Sequence, residues 1–248
     1  PESLFNRLEP LLAQVSKPIQ YVGGEHNSVV KEWASTDVRW CLMYPDAYEV
    51  GQPNQGVAIL YELLNERDWI LAERTYSVWP DLEKLMRSEG LVQFTLDAHR
   101  PVRAFDLFGV SFSTELGYTN LLQALDLAGI PLHAAERGLD DPVVIAGGHA
   151  AFNPEPIADF IDAAVLGDGE EASLHISEIV RAWKTEGRPD GRDGLLLRLA
   201  ATGNVYVPRF YDVAYLDDGR IQRVAPNRPG VPFQVRKHTL MDQIGRAS

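Results

Sequence analysis

The stretch Asp46-Ala47-Tyr48-Glu49-Val50-Gly51 sets a carboxylate, a phenol and a glycine within six residues, directly after the apolar run Val38–Tyr44. A carboxylate can take up a proton or hold a cation, whereas a phenol with a pKa of about 10 is a poor metal ligand at neutral pH. Three further stretches have similar potential. Gly109 to Glu115 offers the hydroxyls of Ser111, Ser113 and Thr114 to a polar ligand, although Ser113 or Thr114 could simply cap a following helix. Ala146-Gly147-Gly148-His149 lets the backbone approach a flat ligand closely, or makes a tight turn. Gly167-Asp168-Gly169-Glu170-Glu171 gathers carboxylates suited to acid/base work or Mg²⁺, yet acids in a first helical turn are also favoured by the helix dipole alone.

The elements that must position these loops alternate. Apolar or mixed runs at Val38–Tyr44, Trp69–Tyr76, Asp106–Ser111, Val143–Ala146 and Ala163–Leu166 read as strands, the second interrupted by Glu73 and Arg74. Helical periodicity appears at Gln55–Glu66, Trp79–Ser88, Leu116–Ala128, Pro154–Phe160 and Glu170–Lys184, with Asn153 as the expected cap of the fourth. Alternation of this kind predicts an α/β fold with a five-stranded parallel sheet covered on both faces. All four candidate loops then fall at carboxyl ends of strands, where open α/β sheets bind ligands. Beyond them come a short helix at Gly191–Thr202, strand patterns at Val205–Val207, Tyr211–Leu216 and Arg220–Val224, and a hairpin turn at Asp217-Asp218-Gly219. Pro226, Pro229 and Pro232 read as a linker, and Glu2–Val15 as an amphipathic amino-terminal helix.

Composition narrows the function. The 248 residues are 45% hydrophobic, enough for a sizeable core, and the net charge of −12 argues against a nucleic-acid partner. No apolar run approaches the ~20 residues that cross a bilayer, and no signal-peptide pattern opens the chain, so a cytoplasmic location is expected. Cys41 is the single cysteine, which excludes an internal disulfide, a Cys-rich zinc site and an iron–sulfur cluster held by this chain. The six histidines show no His-x-x-x-His pair, and neither a Gly-x-Ser-x-Gly elbow nor a Gly-x-x-x-x-Gly-Lys-Ser/Thr loop is present. A phosphotransfer receiver, which shares the sheet topology, is disfavoured because no acidic pair closes the first strand and no lysine ends the fifth.

Taken together the loops resemble those of cobalamin-binding domains, which carry Asp-x-His-x-x-Gly after strand one, a Ser-containing loop after strand three and Gly-Gly after strand four. The corresponding residues are Asp46, Tyr48 and Gly51, then Ser111, Ser113 and Thr114, then Gly147 and Gly148 beside His149. The Gly167-Asp168-Gly169-Glu170 ending is similar to the branch fused to radical S-adenosylmethionine (SAM) enzymes. The phrases Tyr21 to Asn27, Tyr44 to Gly51 and Gly148 to Pro156 resemble one subgroup of that branch, and the resemblance runs from about Lys17 to Val224. It implies a flavodoxin-like or Rossmann-like domain at 37–188, preceded by a helix and arm at 1–36. A helix and β-hairpin extension would follow at 189–226, then a linker at 227–248 toward a radical SAM domain outside this chain.

The resemblance further implies cobalamin as a possible cofactor, held by the residues just named together with Gly167 and Gly169. The [4Fe–4S] cluster and SAM would belong to the parent protein, since Cys-x-x-x-Cys-x-x-Cys is missing here. Tyr48 stands where the cobalt-ligating histidine would be, so any cobalamin is expected base-off, without a protein nitrogen on the metal. The competing expectation is a degenerate domain that binds no cobalamin and serves as a scaffold or substrate-docking module. Either way this chain alone is not expected to be catalytic, its partner is the radical SAM domain, and no membrane is involved.

Overall fold

The computed structural model describes residues 1–239. Its helices are α1 (Phe5–Leu12), α2 (Tyr48–Gly51), α3 (Gln55–Asn65), α4 (Pro80–Glu89), α5 (Tyr118–Ala128), α6 (Gly169–Thr185) and α7 (Gly191–Ala200). Its strands are β1 (Val38–Ala47), β2 (Ile70–Ser77), β3 (Leu107–Ser111), β4 (Val143–Gly147), β5 (Ala163–Val165), β6 (Val205–Tyr206), β7 (Tyr211–Tyr215) and β8 (Ile221–Pro226). The main sheet has the order β2-β1-β3-β4-β5-β6, and β7 and β8 form a separate antiparallel pair. The expected five parallel strands are present, but the sheet has six: Val205 and Tyr206 add to β5 in antiparallel sense. A two-residue strand is too short to announce its pairing, which explains the shortfall.

Side-chain alternation along the strands builds two cores. From β1, Trp40 and Leu42 join a cluster with residues of α3, α6 and α7 on one face, while Cys41 and Met43 join α5 and the β4–β5 connection on the other. Strand β4 divides likewise, with Val143 and Ile145 on the first face and Val144 and Ala146 on the second. Both faces are covered, as a parallel sheet requires.

Glu73 and Arg74, which break the apolar pattern of β2, are buried ion-pair members. The chain from Gln93 to Arg100 runs along the outer edge of β2, with the Leu96 amide donating to the Arg74 carbonyl. That segment supplies Asp97, 2.7 Å from the Arg74 guanidinium, and Arg100, which pairs with Glu73. Burial still raises the pKa of Glu73 despite hydrogen bonds from Thr95 and Arg100. The edge strand is thereby sealed and its polar groups satisfied. At the other end of the sheet, Asp162 accepts from Arg137 and Arg192, each at 2.8 Å, and ties α7 beneath β4 and β5.

One further expectation differs from the structure. Pro154–Phe160 forms only a 3₁₀ turn at Glu155–Ile157, where Pro156 disfavours α-helical geometry at the residue before it. The Pro-containing stretch after β8 packs on the body: Val231 lies against the core, and the His238 amide donates to the Leu166 carbonyl at 2.8 Å. The hairpin turn at Asp217–Gly219 is as expected, closed by the Leu216 amide on the Arg220 carbonyl.

Candidate functional site

A cleft of about 320 Å³ opens at the carboxyl end of the sheet, between the strands and helices α3 and α6. It lies beside the β1/β3 junction, where the strand order reverses direction and α/β sheets characteristically hold ligands. Its floor is Trp40. Gly109 in the middle of β3 makes room for that ring, since a Cβ there would sit 2.9 Å from Trp40 Cζ3. The indole N–H donates to Ser177 Oγ at 2.9 Å, and Ser177 in turn donates to the Ser173 carbonyl. With its polar edge satisfied by α6, the indole contributes apolar surface to the cleft. Leu42, Val57, Leu60, Ile145 and Ile176 complete mostly apolar walls, and Ser111, His149 and Lys237 bring polar groups to the mouth.

The residues singled out from sequence divide into two sets. Ser111, Gly147, Gly148, His149, Gly167 and Gly169 all line the cleft, whereas Asp46, Tyr48, Gly51, Ser113 and Thr114 do not. The first loop is turned to structural ends. Strand β1 runs on through Ala47, and the next four residues wind into α2. Tyr48 donates its hydroxyl to Glu25 Oε1 at 2.5 Å and sets its ring edge-on to Tyr76, centroids 5.7 Å apart. Burial and the Glu25 carboxylate push the Tyr48 pKa up to about 12, so the side chain is a neutral phenol and not a phenolate ligand. Gly51 lets α2 sit against β2, because a Cβ would come within 2.5 Å of the Tyr76 ring. Asp46 accepts from the neighbouring Ala47 amide. Ser113 accepts from the Tyr44 hydroxyl at 3.2 Å, and neither it nor Thr114 caps a helix.

The paired glycines after β4 also differ from each other. Gly148 has φ +87° and ψ −174°, a region nearly confined to glycine, and a Cβ would lie 2.5 Å from the Phe112 carbonyl oxygen. Gly147 has nothing within 4 Å of its notional Cβ: that space is the cleft. Close approach to a ligand is therefore available at Gly147, while Gly148 shapes the turn. Gly167 serves the chain itself, for the backbone of His238 passes so near that no side chain fits. The Asp168 amide donates to the His238 carbonyl at 3.1 Å, and the His238 ring reaches Glu171 at 3.1 Å. This contact carries Lys237 to the mouth of the cleft.

Trp40, Leu42, Val57, Leu60 and Lys237 are cleft residues that the motifs do not mark. Only Gly109, a glycine interrupting an apolar strand, signals close approach in the sequence. Among the described residues no group of three or more His, Cys, Asp or Glu side chains is placed to hold a metal ion. Burial raises the pKa of Cys41 well above its ordinary value, which leaves it a protonated core residue. No helix of the described residues is long and apolar enough to cross a membrane.

No curated protein and no solved structure matches the chain. The family described as "Radical SAM proteins, N-terminal" matches residues 56–208, from the first turn of α3 to the residue group that follows β6. That stretch is well over half of the sequence and carries the whole cleft wall except the part from β1 and the carboxyl-terminal segment, so the chain belongs to the family of radical SAM N-terminal domains.

Proposed function

We propose that this domain, with a flavodoxin-like strand order, holds a cobalamin-type cofactor base-off for a radical SAM domain of the same protein. Family membership implies that following domain, with its [4Fe–4S] cluster and SAM. The observation that carries the reading is the apolar cleft beneath Gly147, open at the carboxyl edge of the sheet. At about 320 Å³ it is at the small end of ligand pockets, suited to a bicyclic heteroaromatic group such as a benzimidazole tail and too small for a corrin ring. A corrin would have to lie outside, over the strand-end loops, where Val50, Leu116 and Phe152 are exposed apolar residues. The donor set suits base-off binding without a protein nitrogen on the metal, since Tyr48, at the position of the ligating histidine, is a neutral phenol committed to Glu25.

When bound, such a group would supply methyl-transfer or radical-rearrangement chemistry. The residues of this chain would do the placing. Trp40 and the aliphatic walls exclude water from the tail, Ser111 offers it a hydroxyl, and Gly147 admits it.

The test is titration of the protein with hydroxocobalamin, followed by gel filtration and visible spectroscopy. A retained, shifted spectrum that disappears in Gly147→Leu supports the reading. Electron paramagnetic resonance of the cob(II)alamin form should lack axial nitrogen splitting; clear nitrogen lines lost in His149→Ala would assign that ligand to His149 instead. The scaffold reading has its own support: Tyr48 is tied off, and Lys237 stands at the cleft mouth on a segment bonded to Leu166 and Asp168. Wild-type protein that retains no cobalamin under any reducing condition would select it.

A further inference from the structure

The β7–β8 hairpin and the groove at its base are not used by the cleft. Alternation places Tyr211, Val213 and Tyr215 on one face of β7, and pairing sets Val224 opposite Val213 and Ile221 opposite Tyr215. The bulge between Ala214 and Tyr215 keeps Ile221 in register with that apolar ladder. Its outer part is uncovered, with Tyr215 62%, Ile221 56% and Val224 37% exposed. An isolated two-stranded hairpin is marginal in water, and an apolar face left bare on one marks a contact surface.

At the foot of the ladder, Tyr211 and Val213 also line a groove of about 320 Å³ together with Tyr206, His133, Glu155 and Asp159. Its charge is one-sided. Glu155 is exposed and accepts from the neutral Tyr206 hydroxyl at 2.6 Å, and no ion pair reaches its carboxylate among the described residues. Asp159 is exposed, and no side-chain hydrogen bond or ion pair reaches its carboxylate among the described residues. Arg209, the cation in the groove wall, is turned to Asp193 at 3.0 Å, a carboxylate it shares with Arg228, and to the Ala134 carbonyl. Tyr206 and Tyr211, with ring centroids 4.9 Å apart, add aromatic faces suited to a cation.

We propose that this groove and the hairpin face together dock a partner polypeptide segment that presents a lysine or arginine between apolar side chains. The cation enters between Glu155 and Asp159 against the tyrosines, and the flanking apolar residues cover Val213, Tyr215, Val224 and Ile221. Charge complementarity selects this occupant: an acidic segment would meet two uncompensated carboxylates on a chain of net charge −12.

The experiment titrates the whole chain with the synthetic peptide acetyl-Val-Lys-Leu-Arg-Ile-amide and, separately, with its Glu/Asp counterpart, reading binding by NMR shifts or fluorescence anisotropy. Saturable binding of the basic peptide alone is expected, weakened about tenfold or more by Glu155→Gln with Asp159→Asn and again by Tyr215→Ser with Ile221→Ser. Glu155→Gln keeps an acceptor for Tyr206, and circular dichroism checks that each variant is folded. Equal binding by wild type and folded variants, equal binding of both peptides, or no saturation up to solubility overturns the proposal. So does concentration-dependent dimerisation of the wild type that Tyr215→Ser abolishes, which would assign the face to a second copy.

Discussion

The loops after β1 and β4 end neighbouring regions of one sheet edge, and both carry glycine in a ligand-like motif, yet their environments are opposite. Around α2 the motif residues are spent on the protein itself: Gly51 is filled by Tyr76, Tyr48 is bound to Glu25, and Asp46 serves its own neighbour. After β4, one glycine shapes the turn and the other faces open space. A motif therefore identifies where chain geometry is restricted, and only the surroundings show whether the restriction serves packing or a ligand.

The sharpest way to break that comparison is to exchange roles within the glycine pair. Gly148→Leu should destabilise the protein by about 3 kcal/mol or more, from the glycine-only backbone region and the clash with Phe112. Gly147→Leu should change stability by less than about 1 kcal/mol while filling the cleft. Thermal and urea unfolding of the two variants measures the difference, and equal losses would remove the distinction.

A smaller effect is expected on the closed side. Gly51→Ala should cost about 1–3 kcal/mol through overpacking against Tyr76, and part of that loss should return in Gly51→Ala with Tyr76→Leu. Cofactor retention by the folded fraction should be unchanged. If Gly51→Ala alone eliminates hydroxocobalamin binding without affecting unfolding, the β1 loop belongs to the ligand after all.

Tyr48→Phe should cost about 1 kcal/mol by removing the bond to Glu25. It should also alter the alkaline limb of stability. Folded Tyr48 keeps its proton up to about pH 12. An unfolded phenol loses it at about pH 10, so the folded state binds more protons in between. The contribution is thus complete below the unfolded value and lost as pH rises through the folded one. Urea midpoints between pH 9 and 12 should fall less steeply in Tyr48→Phe than in wild type; parallel curves would show that Glu25 does not hold the proton. Smallest of all, Asp46→Ala should stay within about 0.5 kcal/mol and leave hydroxocobalamin retention intact, as suits an exposed side chain bonded only to the next amide.

Much of the architecture was legible because period and punctuation coincide. Val143–Ala146 is apolar throughout as a central strand must be, and Asp217-Asp218-Gly219 falls between two strand patterns as a hairpin turn must. The β2 edge was harder to read: Glu73 and Arg74 look like interruptions until the chain from Gln93 to Arg100, some twenty residues later, brings Asp97 and Arg100 to them. The strand pattern at Val205–Val207 is legible, but its antiparallel pairing with β5 is not, since a contact across about forty residues leaves no local signal. At the candidate site, loop glycines pointed to the correct edge of the sheet. They could not separate Tyr48 from the cleft, because its partner Glu25 lies in an irregular arm whose path no local pattern encodes. Trp40 went unmarked since a tryptophan in an apolar strand reads as core, and part of it is.

The bond pair between His238 and the residues flanking Gly167 also sets a point of departure. It fixes the chain at His238 beside the cleft, with Lys237 at the opening. A domain attached there meets whatever the cleft holds as a tethered neighbour and not as a solute. Covalent linkage replaces a bimolecular encounter with an intramolecular one, so weak surface affinity is enough to keep the two together. In those terms Gly167 works as a pivot bearing: the side chain it lacks is what allows the chain to be clamped beside the cleft.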